Sequence, residues 1–223
     1  MAVIVQKFGG TSVADMGRIK AVADRVEAAV AAGDKVAVVL SAMAGVTNQL
    51  VDWINQAGAG SDGCEYDSVV STGEQVTVGL LACVLQGRGL KARSWLGWQL
   101  PIHTDGVHGR ARITSVETEA IRRGLDHGEV QVVAGFQGIS DDGRIATLGR
   151  GGSDITAVAL AAAIDAERCD IEREMGRKMD CVDNEVGAEL IAKFSCLAQV
   201  GHRAKCVRRH ANGDYARALV NLL

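Results

Sequence analysis

The segment that decides the fold is Val3 to Ser12, which reads VIVQKFGGTS. Its short β-branched run ends in a pair of glycines. Asp15 then precedes the segment Met16 to Ala32, whose apolar residues recur at about 3.6-residue spacing, as in an amphipathic helix. Lys35 to Leu40 is a continuous apolar run, which is typical of a strand buried on both faces. This alternation of strand and helix predicts an α/β fold with a mainly parallel sheet between helices.

The rest of the chain continues the same alternation. A polar, glycine-rich loop is expected at 55–63, and the sequence Asp141-Asp142-Gly143 predicts a hairpin turn within Gly138 to Thr147. Helices are predicted at Asn48 to Gln56, Asp67 to Gln86, Val116 to Leu125 and Ile155 to Ile164, and strands at Leu90 to Leu96, Val130 to Phe136 and Arg168 to Ile171. Residues 172–223 are more polar and only weakly periodic.

Composition excludes several classes of protein. The chain has 223 residues, 48% of them hydrophobic, with 24 Lys and Arg against 27 Asp and Glu, so intrinsic disorder and a strongly basic nucleic-acid surface are not indicated. No uncharged run reaches the roughly 18 residues of a membrane span, and the first residues lack a secretory pattern. The six cysteines form no C-x-x-C pair and are interpreted as reduced thiols that mostly fill space. We therefore expect a cytoplasmic protein with no membrane partner.

Glycine-containing turns after predicted strands are the most informative feature. In an open parallel sheet these turns meet at the carboxyl ends of the strands, where free N–H groups and helix amino termini attract anions. No Walker sequence and no Gly-x-Gly-x-x-Gly fingerprint occurs in them. Each turn alone could be purely structural, but together they favour a phosphate-binding crevice. The turns span Lys7 to Ser12, Ser41 to Thr47 and Gly149 to Asp154.

Four charged residues, three of them in or beside these turns and one in a predicted helix, could carry chemistry. Lys7 ends an apolar strand, where its ammonium either meets a phosphoryl group or reaches the surface. Asp154, close to a helix start, could cap the helix or hold Lys7. Arg150 could grip a substrate carboxylate or be a solvated loop residue. Glu74, in an apolar helix, could accept a substrate ammonium or be a buried, paired glutamate.

Five sequence blocks occur in the order found in aspartokinases, which are members of the amino acid kinase family. The resemblance covers residues 1 to about 171. It implies a three-layer αβα sandwich, and transfer of the γ-phosphoryl group of Mg-ATP to the β-carboxylate of L-aspartate, giving 4-phospho-L-aspartate for lysine, threonine and methionine biosynthesis. The blocks are KFGGTS at Lys7 to Ser12, SAMAGVTN at Ser41 to Asn48, STGEQ at Ser71 to Gln75, GFQG at Gly135 to Gly138 and GRGGSD at Gly149 to Asp154.

The resemblance also implies a role for each matching residue. Lys7 would neutralise charge on the transferring phosphoryl group, and Asp154 would orient Lys7. Glu74 would hold the α-amino group of aspartate and Arg150 its α-carboxylate. A carboxylate acceptor needs no general base, so positioning and charge neutralisation suffice. The ATP and phosphate contacts implied are Lys7, Phe8, Gly9, Gly10, Ser41, Gly151 and Gly152, and the aspartate contacts are Thr47, Glu74, Arg150 and Ser153. Mg²⁺ would arrive with the nucleotide, with no metal site in the protein.

After Cys169-Asp170-Ile171 the family pattern is interrupted. The aspartokinase segment that supplies much of the nucleotide pocket is replaced by Glu172 to Gly176, and Arg177 to Asp180 resembles a later stretch of the family. We therefore predict a catalytic core at 1–171, a truncated or altered remainder of the same domain at 172–223, and no regulatory domains. Assembly as a homo-oligomer is left open.

Three functions are consistent with these residues. The first is an aspartate kinase. The second is a catalytically impaired homologue that binds aspartate or pairs with another kinase subunit. The third is a kinase for another small carboxylate, for carbamate or for a nucleotide, against which the combination of Glu74 and Arg150 argues.

Weaker signals receive structural interpretations. His103 and His108 flank Asp105 without a third ligand and are expected to be loop histidines. Trp95 and Trp98 are expected to be packing residues. The basic stretch 193–217 is expected to be a solvated helix face that does not contact nucleic acid.

Overall fold

The fold is built on two sheets, seen in a computed structural model that describes residues 1–58, 63–172 and 180–181. The larger sheet has six strands and the smaller has four. In chain order the strands are β1 (Val3–Phe8), β2 (Lys35–Leu40), β3 (Ala92–Trp95), β4 (Ile102–Thr104), β5 (Ile113–Val116), β6 (Val130–Ala134), β7 (Gln137–Ile139), β8 (Ile145–Thr147), β9 (Arg168–Glu172) and β10 (Asp180–Cys181).

Helices cover both faces of the larger sheet. Its strand order is β10-β9-β1-β2-β6-β3, and every pairing in it is parallel except that between β10 and β9. The helices are α1 (Met16–Ala31), α2 (Val46–Gln56), α3 (Cys64–Val70), α4 (Thr72–Gly87), α5 (Glu119–Asp126) and α6 (Gly152–Ala163), with a short 3-10 turn at Gly10–Val13. The predicted three-layer αβα sandwich with a mainly parallel central sheet is confirmed.

Alternate residues of the central strands enter separate hydrophobic cores. Val5 and Val39 pack with residues of α5 and α6 on one face of the sheet. Ile4 and Val38 pack with residues of α1 and α4 on the other face. Because successive side chains of a strand point to opposite faces, a strand covered on both sides must be apolar throughout. The continuous apolar runs of β1 and β2 follow from this.

Helix α1 begins and ends close to where the sequence predicts. The carboxylate of Asp15 accepts a hydrogen bond from the backbone N–H of Arg18 at 2.9 Å, so Asp15 is the amino-terminal cap. Gly33 follows the helix with a φ of 92°, a left-handed conformation that glycine adopts without steric cost. Asp15 and Gly33 therefore mark the two ends of α1 in the sequence.

The smaller sheet was not foreseen in full. Its order is β5-β4-β7-β8, and the predicted hairpin appears as antiparallel β7 and β8. Strands β4 and β5 were not predicted, and the helix expected from Val116 begins at Glu119 because Val116 pairs with Ile102 in the sheet. Pairing with a distant strand overrode the local pattern here.

The helical stretch Cys64–Gly87 is long and apolar enough to cross a membrane, judged by its length and composition alone. It comprises α3 and α4, joined at Ser71, and half of its most apolar window is buried inside the protein. Val78, Leu81 and Leu85 pack in the core with α1, as expected of a core helix in a globular fold.

Several predictions fall outside the described residues. They concern residues 59–62 of the polar loop, the altered segment after Glu172 apart from the backbone of β10, and the basic stretch at 193–217. The cysteine interpretation holds only in part where the chain is described, because Cys169 is buried, Cys64 is half-buried and Cys83 is exposed.

Candidate active site

A cleft of about 380 Å³ opens at the carboxyl ends of β1 and β2. Its walls are the turn after β1, the turn between β2 and α2, the first turn of α4, and the segment that leads into α6. Ten of the residues predicted from sequence line this cleft: Lys7, Gly10, Ser41, Thr47, Glu74, Arg150, Gly151, Gly152, Ser153 and Asp154. The residues come from four separate parts of the chain.

Lys7 and Asp154 form an ion pair inside the cleft. Lys7 Nζ lies 2.6 Å from Asp154 Oδ1, and Lys7 is only 5% exposed. Lys7 does not reach the surface, and Asp154 lies in the first turn of α6, whose cap is Gly151. A buried ammonium needs an anionic partner, and Asp154 supplies it. The pair therefore places a fixed positive charge where the two strands end.

Glu74 is a buried carboxylate of which only one oxygen accepts a hydrogen bond from the described residues. Its Oε1 accepts the backbone N–H of Ala42 at 3.0 Å, whereas among the described residues no donor reaches Oε2. Burial raises the pKa of Glu74 from 4.5 to about 7, although the hydrogen bond from Ala42 opposes this shift. A cationic group placed in the cleft beside Oε2 would favour the ionised carboxylate.

Two glycines bring the walls of the cleft together at Ala42. A Cβ on Gly10 would lie 2.8 Å from the carbonyl oxygen of Ala42, and a Cβ on Gly73 would lie 2.8 Å from its Cβ. The backbone N–H of Ala44 also donates to the carbonyl of Gly10 at 3.2 Å. The first two glycine turns and the start of α4 are thus in direct contact.

The third glycine turn packs against the loop after β6 in the same way. A Cβ on Gly135 would lie 2.7 Å from the side chain of Ser153, and a Cβ on Gly152 would lie 2.7 Å from the ring of Phe136. Phe136 has a φ of 68°, an uncommon conformation for a large residue. It is held there because its N–H donates to Thr156 Oγ1 at 3.1 Å and its carbonyl accepts from Leu148 at 2.8 Å.

Two helices start at the cleft. The first turn of α2 contributes Thr47 and the first turn of α6 contributes Ser153, and both helices are capped by glycines in the left-handed conformation. Helix amino termini carry partial positive charge and unpaired N–H groups, which favour anions. With Lys7 and Arg150 they make the cleft suited to a substrate that carries several negative charges.

Two predicted phosphate contacts, Phe8 and Gly9, do not line the cleft. The Phe8 side chain is fully buried in the core beside α1, and the N–H of Gly9 donates to the carbonyl of Glu172 at 3.0 Å. Both residues support the turn through the neighbouring strands. A direct contact of either with phosphate stays a prediction.

Some residues that line the cleft were not singled out as contacts. Phe136 and Asn48 belong to sequence blocks that carried the family resemblance, so the blocks themselves were a signal. Met43 lies in the second glycine turn, between residues that were singled out.

The sequence pattern gives no functional signal for Asp67. Its carboxylate is fully buried, and the groups of the described residues that reach it can all act as hydrogen-bond donors. They are the N–H and hydroxyl of Thr147, the N–H of Gly109 and Nδ1 of His108. These partners lie 41 to 80 residues away along the chain, beyond the reach of any local pattern.

The weaker sequence signals have mixed outcomes. His108 lies in a loop as expected, but His103 is in β4, where Nε2 lies 3.0 Å from Glu117 Oε1. Trp95 is a packing residue whose indole N–H donates to Gln131, whereas the packing prediction is wrong for Trp98, which is 50% exposed. Within 1–58 and 63–172, no three His, Cys, Asp or Glu side chains gather as a metal site.

Comparisons with known proteins relate the chain to one family. The chain matches the amino acid kinase family over residues 2–173. It is 53% identical over 171 residues to an aspartokinase of Geobacillus stearothermophilus, and 53% identical over 173 residues to an aspartate kinase of Pseudomonas fluorescens. Each alignment covers 77% of this chain and 42% of the relative, so the chain spans less than half the length of these relatives.

Solved structures show the same likeness. The aspartate kinase of Synechocystis aligns over 76% of this chain and 28% of its own, with a TM-score of 0.63 and 44% identity. E. coli aspartokinase III, solved in complex with aspartate and ADP, aligns over 77% of this chain and 49% of its own, with a TM-score of 0.64 and 29% identity. The fold, the glycine turns and the family match over most of its length together show that this chain belongs to the amino acid kinase family.

Proposed function

We propose that this chain is the catalytic core of an aspartate kinase, which transfers the γ-phosphoryl group of Mg-ATP to the β-carboxylate of L-aspartate. The observation that carries the proposal is the meeting, in one cleft, of the Lys7–Asp154 pair, the free oxygen of Glu74 and the Arg150 loop. A phosphoryl donor and a zwitterionic acceptor require this set of charges. The relatives described above are named for the same activity.

The phosphate end of the cleft is formed by Lys7 and the glycine turns. Gly10, Ser41 and Gly152 line it with backbone or small side chains, which allow close approach of phosphate oxygens. Mg²⁺ bound to ATP would neutralise part of the charge on its phosphates. Lys7, fixed by Asp154, would stabilise the charge that remains on the transferring group.

The aspartate end of the cleft is formed by Glu74, Arg150, Thr47 and Ser153. The α-ammonium of aspartate would lie beside Glu74 Oε2, since a buried carboxylate oxygen without a donor is stabilised by a cation. The guanidinium of Arg150 would bind the α-carboxylate through two parallel hydrogen bonds. The β-carboxylate would then point toward Lys7 and the phosphates.

The transfer itself needs no proton removal by the protein. An oxygen of the β-carboxylate attacks the γ-phosphorus, a P–O bond forms, and the bond between the γ-phosphorus and the oxygen that bridges to the β-phosphate breaks. ADP leaves with that electron pair. Catalysis by this chain therefore consists of alignment and charge stabilisation. The product, 4-phospho-L-aspartate, would serve lysine, threonine and methionine biosynthesis in the cytoplasm.

A coupled ADP-release assay with L-aspartate and Mg-ATP tests this function. We expect aspartate-dependent turnover, and a fall of at least about 100-fold in kcat for Lys7→Ala, because a fixed charge on the transferring group is lost. Lys20→Ala, on the solvent face of α1, is the matched control and should keep full activity. Turnover that is independent of aspartate, or unchanged in Lys7→Ala, would contradict the proposal.

One observation favours a second candidate, a homologue that binds aspartate but handles ATP poorly or acts with another kinase subunit. The family match ends at residue 173, where the sequence departs from the pattern that supplies much of the nucleotide pocket in aspartokinases. Calorimetry separates the two candidates. Aspartate binding without detectable ATP binding or turnover would select the second.

A further inference from the structure

We propose that Asp67 is a positioning residue that sets the spacing between Arg150 and Glu74 in the aspartate subsite. Asp67 does not line the cleft, and the inference rests on the function proposed above. Both oxygens of the Asp67 carboxylate are engaged by donors, and Asp67 is linked through the fold to the Arg150 loop and to Glu74.

Both oxygens of Asp67 are engaged by donors from distant segments. Oδ2 accepts the backbone N–H of Thr147 at 2.9 Å and faces Nδ1 of His108 at 2.7 Å. The N–H of Gly109 lies 3.1 Å from both oxygens, and the hydroxyl of Thr147 donates to Oδ1. A fully buried carboxylate with this many donors fixes the groups around it, because any shift leaves a buried polar group unpaired.

The first link runs through β8 to Arg150. Thr147 is the last residue of β8, and the chain reaches Arg150 three residues later. Leu148, between them, is buried and donates its N–H to the carbonyl of Phe136 at 2.8 Å. Arg150 itself is exposed. On its amino-terminal side, the backbone that carries Arg150 is therefore held by the contact between Asp67 and Thr147, and on its carboxyl-terminal side Thr156 Oγ1 donates to the carbonyl of Gly152 at 2.9 Å.

The second link runs along the helix to Glu74. Ser71, between α3 and α4, has a φ of −66° and a ψ of −18°, so the helical course continues through it. Asp67 and Glu74 are seven residues apart, about two helical turns, which places them on the same side of this stretch. The side-chain amide of Gln137 donates to the carbonyl of Ser71 at 3.0 Å and ties the junction to β7.

Two structural elements thus connect Asp67 to the aspartate subsite. Strand β8 leads from the contact with Asp67 to Arg150, and the α3–α4 stretch leads from Asp67 to Glu74. The α-carboxylate and α-ammonium of an amino acid are attached to the same carbon, so the two side chains that hold them must keep a fixed separation. Asp67 supplies that constraint from outside the cleft.

Asp67→Asn tests the inference with a nearly isosteric change. The amide nitrogen of asparagine cannot accept a hydrogen bond, so at least one donor among Thr147, Gly109 and His108 loses its partner. We expect the KM for aspartate to rise by about tenfold or more, because small misplacement of binding groups is costly. The KM for ATP should change less than about twofold, since Lys7, Gly10 and Ser41 at the phosphate end lie on β1 and in the turns after β1 and β2, and the Arg150 loop contributes only its glycines there.

Glu65→Gln is the matched control. Glu65 lies on the same helix as Asp67 and pairs with Arg144 of the hairpin, but its side chain is 79% exposed. This variant should keep both KM values. Hydrogen exchange gives a readout that does not depend on activity. Amide exchange across Gly149–Asp154 should be about tenfold faster in Asp67→Asn than in the wild type, and unchanged in Glu65→Gln.

The outcomes separate this inference from the proposed function. If the wild type shows no turnover with aspartate, the function fails, and the exchange experiment still decides whether Asp67 orders the Arg150 loop. An unchanged KM for aspartate in Asp67→Asn, or equal rises in both KM values, overturns the inference. If Asp67→Asn does not fold, Thr147→Val, which removes only the hydroxyl contact, should show the same selective rise at about threefold, and no rise would overturn it.

Discussion

Asp67 and Glu74 are two buried carboxylates on one helical stretch, yet their surroundings are opposite. Asp67 is fully buried and receives donors on both oxygens. Glu74 is 4% exposed and lines the cleft, with a donor on Oε1 and, in the described part of the chain, none on Oε2. The first carboxylate completes its hydrogen bonds within the protein, whereas the second leaves one oxygen without a donor among the described residues.

The difference shows that burial alone does not mark a functional carboxylate. A buried carboxylate whose oxygens all accept hydrogen bonds from the protein stabilises the fold. A buried carboxylate with an unbonded oxygen next to a cleft can instead bind a cation. If this distinction is correct, substitutions at the two positions must change the stability of the protein without ligand in opposite directions.

The largest expected effect is on aspartate binding in Glu74→Gln. The amide can still accept the N–H of Ala42, but it carries no charge to pair with an ammonium. We expect the dissociation constant for aspartate to rise by about 100-fold, as for loss of one partner of a desolvated charge pair. Isothermal titration calorimetry with L-aspartate measures it. A change of less than about threefold would mean that the ammonium is bound elsewhere.

The next effect is on stability in Asp67→Asn. Loss of an acceptor at a site with several buried donors should lower the free energy of unfolding by about 2–4 kcal/mol. Urea denaturation followed by circular dichroism measures this, with Glu65→Gln as the exposed control. Equal stability of wild type and Asp67→Asn would show that the donors around Asp67 find other partners.

The pH dependence of aspartate binding should be smaller but distinctive. With the pKa of Glu74 near 7, the carboxylate is largely protonated at pH 6 and ionised at pH 8, so aspartate affinity should rise with pH. The KM for aspartate should fall by about tenfold between these values, since the ionised fraction of a carboxyl group with a pKa near 7 rises from about one-tenth to about nine-tenths. Glu74→Gln should lose this dependence, and a flat profile in the wild type would contradict the assignment.

The smallest effect is a gain in stability in Glu74→Gln without ligand. A carboxyl group whose pKa is raised by folding contributes stability that is fully present below its unfolded pKa of about 4.5 and is lost as pH rises through about 7. At pH 8 the uncharged amide avoids this loss, so the variant should be more stable by about 1–2 kcal/mol. Thermal denaturation at pH 5 and pH 8 measures it, and the gain should be clearly smaller at pH 5, where the carboxyl of Glu74 in the folded protein is still largely protonated.

The strands and their turns were predictable because their signals are local. Lys35 to Leu40 is apolar at every position because it is covered on both faces, and Asp15 precedes α1 because it caps that helix. The glycine turns were predictable as anion sites for the same reason, since a strand, a turn and a helix start lie next to one another in the sequence.

The remaining features depend on contacts between distant residues. Ile102 and Val116 pair across a loop, and nothing in the short run around Val116 distinguishes a strand from the helix that follows. Asp67 has partners up to 80 residues away, so its sequence neighbourhood shows only a charged residue near a helix start. Such residues are identifiable only when the fold brings their partners together.

The contact of Gly10 and Gly73 with Ala42 limits the substitutions that these two positions can accept. A single added methyl group at Gly73 would collide with Ala42, whereas at Gly79 or Gly87, on the same helix, it would meet nothing within 4 Å. Within α4, glycine is therefore required at Gly73, where there is no room for a side chain, but not at Gly79 or Gly87. The glycines at the far end of α4 can therefore be replaced by larger residues, whereas Gly73, packed against Ala42 beside the cleft, cannot.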